Sequence, residues 1–188
     1  MCAQMKAVYR EKARGRALCE HPRAVHILHI RDCPAAKHDD DIALRRLDRS
    51  LVPRAALNDL LKRKEVASPI AEEVLDRLES AGLVDDAAYA AALARTRFAE
   101  KGAARRAIAE ELRRKGLGEE DISAALTQIG ADDEEATALT LARKKLAATR
   151  GLEPVVRRRR TLALLGRKGY SQEVAMRAVE RALMDRQD

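Results

Sequence analysis

The sequence has no tryptophan, one phenylalanine and three tyrosines among its 188 residues. Strands draw on aromatic and β-branched side chains for their pleated faces, so this chain is poorly supplied for sheets. Ala, Arg, Leu and Glu dominate instead, and these favour helices. Histidine and cysteine do not occur beyond His38. That denies Ser-His-Asp and Cys-His chemistry to everything that follows. No G-x-x-x-x-G-K-[ST] phosphate loop and no G-x-G-x-x-G fingerprint is present. No apolar run is long enough to span a bilayer and no signal-peptide pattern opens the chain, so the expected location is cytoplasmic with no membrane contact.

Charge is what the chain has in abundance. Charged residues make up 36%, the formal net charge is +7 and the pI is near 9.6. Such a balance favours a polyanionic partner, either nucleic acid or the acidic face of another protein. Residues 1–41 stand apart, because they hold all three cysteines and all four histidines. A metal site from Cys19, His21, His26, His29, Cys33 and His38 fits no zinc-ligand spacing, and three cysteines make a poor disulfide set. The expectation is no metal, no cofactor and a poorly ordered extension. Met5 is an alternative start, Val25–Ile30 is a short strand-like patch, and the His-Asp-Asp-Asp run at 38–41 reads as a linker.

From Ile42 the pattern is helical, and it repeats. Leu60–Leu78, Glu111–Ile129 and Leu164–Leu183 can be laid over one another. Lys64, Lys115 and Lys168 fall in register, 51 and 53 residues apart. A leucine lies three residues before each (Leu61, Leu112, Leu165) and an apolar residue two after (Val66, Leu117, Tyr170). Another apolar residue follows nine further on (Leu75, Leu126, Val179). A fixed period near 50 with matching columns is a tandem repeat. The expected architecture is all-α: an elongated, curved array of three tandem three-helix repeats, over 42–84, 85–130 and 131–188. Helices are expected at 42–49, 53–64 and 69–81, then 86–100, 103–115 and 119–128, then 133–148, 154–167 and 172–185. The punctuation includes Gly82, Gly116 and Gly169 at helix C-termini, Asp85 as a cap with Val84 and Tyr89 as a staple, Ser68–Pro69 at a helix start, and an Asp132/Glu135 capping box. The core stripe includes Leu57, Leu61, Ile70, Val74, Leu78, Ile108, Leu112, Ile122, Leu146, Leu165 and Val179.

The tandem register, the block Leu75–Ala90 (LDRLESAGLVDDAAYA) and the R-R-K-G endings resemble the RecX family over about residues 42–188. Glu65 departs from the pattern, standing where glycine follows the lysine in the other repeats, so that helix end is expected to close differently. Residues 1–41 match nothing in the family's repeats. The resemblance implies a non-enzymatic regulator that binds the RecA recombinase filament on DNA. It inhibits ATPase and strand exchange by blocking extension or promoting disassembly, acts as a monomer, and makes weak contacts to DNA.

The candidate contact residues are basic. The third repeat offers Arg157, Arg158, Arg159, Arg160, Arg167 and Lys168; the second offers Arg105, Arg106, Arg113, Arg114 and Lys115. Arg45, Arg46, Lys62, Arg63 and Lys64 form a first-repeat set, and Arg143, Lys144 and Lys145 a fourth cluster. Arginine suits phosphate and carboxylate alike through its planar fork. Four consecutive arginines splay over most of a helix, so at least one must lie against a neighbouring helix. For Lys62–Lys64 and Arg113–Lys115, a solvated helix C-terminus favoured by the dipole is as good a reading. The rival function is sequence-independent DNA binding without RecA; a scaffold for another protein is a second rival. Carboxylates at Asp85–Asp86, Glu119–Asp121 and Asp132–Glu135 open helices, where capping explains them without catalysis.

Overall fold

The apolar stripes close into three separate cores. A computed structural model describes residues 34–185, and these hold nine helices and no strand. They are α1 Pro34–Leu47, α2 Arg54–Arg63, α3 Ser68–Ser80, α4 Asp86–Lys101, α5 Arg105–Arg114, α6 Glu119–Leu126, α7 Ala131–Ala148, α8 Pro154–Arg167 and α9 Gln172–Met184. Helices pack extensively only within the trios α1–α3, α4–α6 and α7–α9. Leu57, Leu61, Val74 and Leu75 centre the first core, Ile108, Leu112 and Ile122 the second, and Leu146, Leu165 and Val179 the third. The molecule is an elongated, all-α series of three small bundles. Each alone buries little, so the contacts between bundles matter to stability.

Those contacts form two joints of the same construction. At the first, the Arg54 N–H at the start of α2 donates to Asp86 Oδ1, 2.8 Å away, from the start of α4. At the second, the Arg105 N–H at the start of α5 donates to Glu134 Oε1, 3.0 Å away, from the start of α7. In both, a carboxylate of one trio answers an orphan donor at the N-terminus of the preceding trio's middle helix. The turn that ends the next middle helix then seats against that helix start. A Cβ on Gly116 would lie 2.5 Å from Ala55 Cβ, and one on Gly169 2.5 Å from Ala107 Cβ. The second joint is the more elaborate. The Ala104 N–H donates to the Lys168 carbonyl at 2.8 Å, the Lys168 ammonium donates to the Lys101 carbonyl, and the buried Tyr170 hydroxyl donates to the Gly102 carbonyl at 3.1 Å.

Glu65 corrects one expectation. Its helix end closes in the same way as the other two. The Glu65 and Val66 N–H groups donate to Lys62 and Leu61 carbonyls at 3.0 and 3.1 Å. Gly116 and Leu117 make the matching pair at 2.9 and 3.3 Å, Gly169 and Tyr170 at 3.0 and 3.2 Å. Glu65 takes the left-handed conformation itself, at φ 62°, and its exposed side chain meets no seat of the kind found at Gly116 and Gly169.

The punctuation holds in part. Gly82 is left-handed at φ 67°, and Asp85 Oδ1 accepts the Ala88 N–H at 2.7 Å. Other local readings are corrected. Residues 38–41 are not a linker but the middle of α1, where Asp40 pairs with Arg77 at 2.6 Å. Ser68 lies one residue inside α3, whose cap is Ala67. Asp132 does not cap α7; Gly130 occupies that place with no side-chain bond. Val84 belongs to the first core and Tyr89 lines the second, so they serve different bundles rather than one staple. Ile70 is 39% exposed, because the neighbouring Ala71 takes the inward position. Met5, Val25–Ile30 and the Cys19–Cys33 part of the proposed metal set lie outside the described residues.

Candidate basic interaction surface

Helix α8 carries five arginines and no carboxylate in 14 residues. Its register decides what each can do. Arg157 faces inward, half-buried, and its Nη2 donates to the Leu146 carbonyl in the last turn of α7 at 3.1 Å. A cation there adds a donor to a carbonyl that Thr149 Oγ1 also approaches at 3.4 Å, and it answers the negative end of the α7 dipole. Arg158 pairs with Glu180 of α9 at 3.1 Å. Arg159, Arg160 and Arg167 are exposed and make no hydrogen bond or ion pair among the described residues. Lys168 is occupied in the second joint.

The second trio is more compensated. Arg113 is held by both oxygens of Glu119, at 2.5 and 2.9 Å; this bond holds the Glu119 carboxyl below its usual range. Arg106 lies 3.8 Å from Glu110. Lys115 is half-buried with its ammonium 6.0 Å from the centre of the Tyr89 ring. Arg105 is half-buried at the joint, where its backbone is engaged. Arg114 alone of this set is exposed without a partner among the described residues. Lys62, Arg63 and Lys64 are exposed, and Arg143 is paired with Asp185. The eleven candidates thus divide into inward or joint residues (Arg157, Lys168, Arg105, Lys115), paired ones (Arg158, Arg106, Arg113) and open ones (Arg159, Arg160, Arg167, Arg114).

The second joint brings the end of α8, with Arg167, to the start of α5, with Arg106, because Gly169 rests on Ala107. Positive charge therefore continues across the joint, open at Arg167 and paired with Glu110 at Arg106. Sequence reasoning did not find the joint carboxylates. Asp86 read as a contributor to its own helix N-terminus, and nothing local marks it as the acceptor for Arg54. Its carboxyl is pushed above its ordinary value by burial, an effect partly offset by the Arg54 N–H. Arg97 and Glu111, which tie α4 to α5 at 2.5 and 2.7 Å, were likewise unmarked.

Comparison with known proteins agrees with this construction. Residues 85–126 match the description "RecX, second three-helix domain" and residues 132–179 "RecX, third three-helix domain". The "Regulatory protein RecX" of Thermobifida fusca (strain YX) is 46% identical over 142 residues, covering 76% of this chain and 77% of that one. The chain belongs to the RecX family. The "Regulatory protein RecX" of Streptomyces coelicolor is 44% identical over 142 residues, 76% of each chain. A crystal structure of regulatory protein RecX superposes with a TM-score of 0.68 at 24% identity, over 94% of this chain and 85% of that one. The RecX structure from Lactobacillus salivarius gives 0.72 at 19% identity, over 79% and 97%. At those identities the structures speak for the RecX fold alone, and the sequence relatives carry the family. No described helix is long and apolar enough to cross a membrane.

Proposed function

We propose that this RecX-family chain is a non-enzymatic regulator of DNA recombination and repair. It binds the RecA filament on DNA and inhibits ATP hydrolysis and strand exchange, by blocking filament extension or promoting disassembly. Family membership carries the reading: relatives named as regulatory proteins align over three-quarters of this chain. The serial construction supports it, since bundles joined end to end offer a long surface to a helical partner. The protein acts as a monomer in the cytoplasm, without cofactor. Its basic residues on α5 and α8 supply the attraction to an anionic assembly.

The test is DNA-dependent ATP hydrolysis by the cognate RecA with rising amounts of this protein. Strong inhibition well below one molecule per RecA supports capping or disassembly. Inhibition that vanishes with excess DNA favours the second reading, plain DNA binding without RecA, to which the uncompensated arginines of α8 lend weight. No inhibition at any ratio refutes the RecA reading.

A further inference from the structure

We propose that the open face of α8 is a docking surface for the phosphate backbone of DNA. Arg159, Arg160 and Arg167 are its phosphate contacts, and Ala163 and Gly166 are the floor that lets the backbone come close. The proposal deepens the reading above by assigning the filament's DNA to one face, but its test needs DNA alone.

Charge is the first observation. The other middle helices carry acids among their cations, Asp59 on α2 and Glu110 and Glu111 on α5; α8 has no acid at all. Two of its five arginines are used inside the bundle, by Leu146 and Glu180. At 100° per residue the other three fall with Ala163 and Gly166 within about a third of the helix circumference. Arg159 and Arg167 are two turns apart, about 12 Å along the axis, over which one strand of a duplex presents roughly three phosphates.

Gly166 is the second observation. It sits in the last turn of α8 with no left-handed φ, and a Cβ there would meet nothing within 4 Å. Glycine weakens a helix relative to alanine, and here no turn and no packing contact among the described residues requires it. At Gly116 and Gly169 the requirement comes from a neighbouring trio; at Gly166 it is assigned to the approach of a ligand backbone. The face also lacks what a protein interface uses at its centre. It has no aromatic residue, and Val155, 79% exposed, is its apolar member. Protein hot spots are built on buried aromatic anchors, and stacking of single-stranded bases needs aromatic platforms. Arginines around a shallow floor suit phosphates.

The experiment is fluorescence anisotropy of labelled duplex and single-stranded oligonucleotides of mixed sequence, without RecA, across a salt titration. The full chain is compared with R159A/R160A/R167A, with R49A/R150A/R181A as a control of equal net charge, and with G166A. The first variant is expected to lose at least tenfold in affinity at low salt. Its slope of log K against log salt is expected to fall by about two to three, with circular dichroism unchanged. The control triple is expected to lose much less. G166A is expected to melt higher yet bind several-fold more weakly, which a purely structural role does not produce. An unchanged slope in the α8 triple, an equal loss in the control, or no DNA binding by the parent chain overturns the proposal; unchanged binding by G166A removes the floor. If the α8 triple keeps DNA binding but loses inhibition of RecA ATPase, the face belongs to an acidic protein surface and the proposal fails. If the face binds DNA and the parent chain does not inhibit RecA, the face stands and the RecA reading falls.

Discussion

Glu65, Gly116 and Gly169 end the three middle helices with the same backbone turn, yet only two of them are glycine. All three have positive φ. What separates them is the close seat at Ala55 and Ala107, which leaves no room for a Cβ. Two opposite outcomes are expected. Glu65→Gly relieves a left-handed non-glycine residue and raises stability by about 1 kcal/mol, net of the greater freedom of the unfolded chain. Gly116→Ala and Gly169→Ala add a steric clash to the same conformational cost and lose about 2–4 kcal/mol each. Urea denaturation measures both; a Glu65→Gly protein less stable than its parent would contradict the left-handed assignment. Gly82 isolates the conformational part, since nothing lies within 4 Å of a Cβ there. Gly82→Val is expected to lower the melting temperature through the backbone alone, and an unchanged value would argue against the turn.

At the scale of the element, α8 separates structural from available arginines. Arg157→Ala removes one donor to the Leu146 carbonyl at the α7 C-terminus and is expected to lower stability by about 1–2 kcal/mol. Arg159→Ala removes an exposed group with no partner among the described residues and is expected to change stability by less than about 0.5 kcal/mol. Thermal melts of the two single variants test this; equal losses would mean that the register assigned to α8 is wrong. A variant replacing all of Arg157–Arg160 would weaken inhibition for two unrelated reasons, so the single substitutions are more informative. Helix α4 illustrates the same separation. Ala90 and Ala94 face the core, while Asp85 caps the helix and Asp86 leaves it to serve the first joint.

At the scale of the whole molecule, the joints decide how the bundles act together. Burial, with a smaller contribution from Glu134, pushes the Tyr170 hydroxyl up to about 12. Between about pH 10, where an unfolded tyrosine ionises, and about pH 12, the native state holds a proton that the unfolded state has lost. Stability therefore falls as pH rises through this window, by an amount on the order of 2 kcal/mol. Alkaline denaturation curves of the parent and Tyr170→Phe should differ in slope in that window, and parallel curves would refute the assignment. Truncation tests the other end. Removing residues 1–41 cuts into α1 and deletes Asp40, the partner of Arg77, so it is expected to destabilise the first bundle. Removing 1–33 leaves α1 whole and is expected to retain inhibition; loss of inhibition with an intact melting transition would assign a role to those residues.

The sequence by itself determined the elements. Helical apolar spacing, glycine at Gly82, Gly116 and Gly169, and the 51- and 53-residue register are local or periodic properties, so they can be read along the chain. The eight helices after α1 accordingly lie within two residues of the expected ends. The family was legible for the same reason, because its motifs are contiguous. The start of α1 was not, since the acidic run at 38–41 resembles a solvated linker until Arg77, far along the chain, supplies its partner. Tertiary structure alone decided which basic residues are open. Arg157 and Arg159 are alike in type and two positions apart, but 200° of helical rotation sends one to the α7 carboxyl end and the other to solvent. It alone also decided why glycine is required at Gly116 and Gly169 and dispensable at Glu65. The requirement is a distance to another bundle, and no residue carries that distance in its own neighbourhood of the chain.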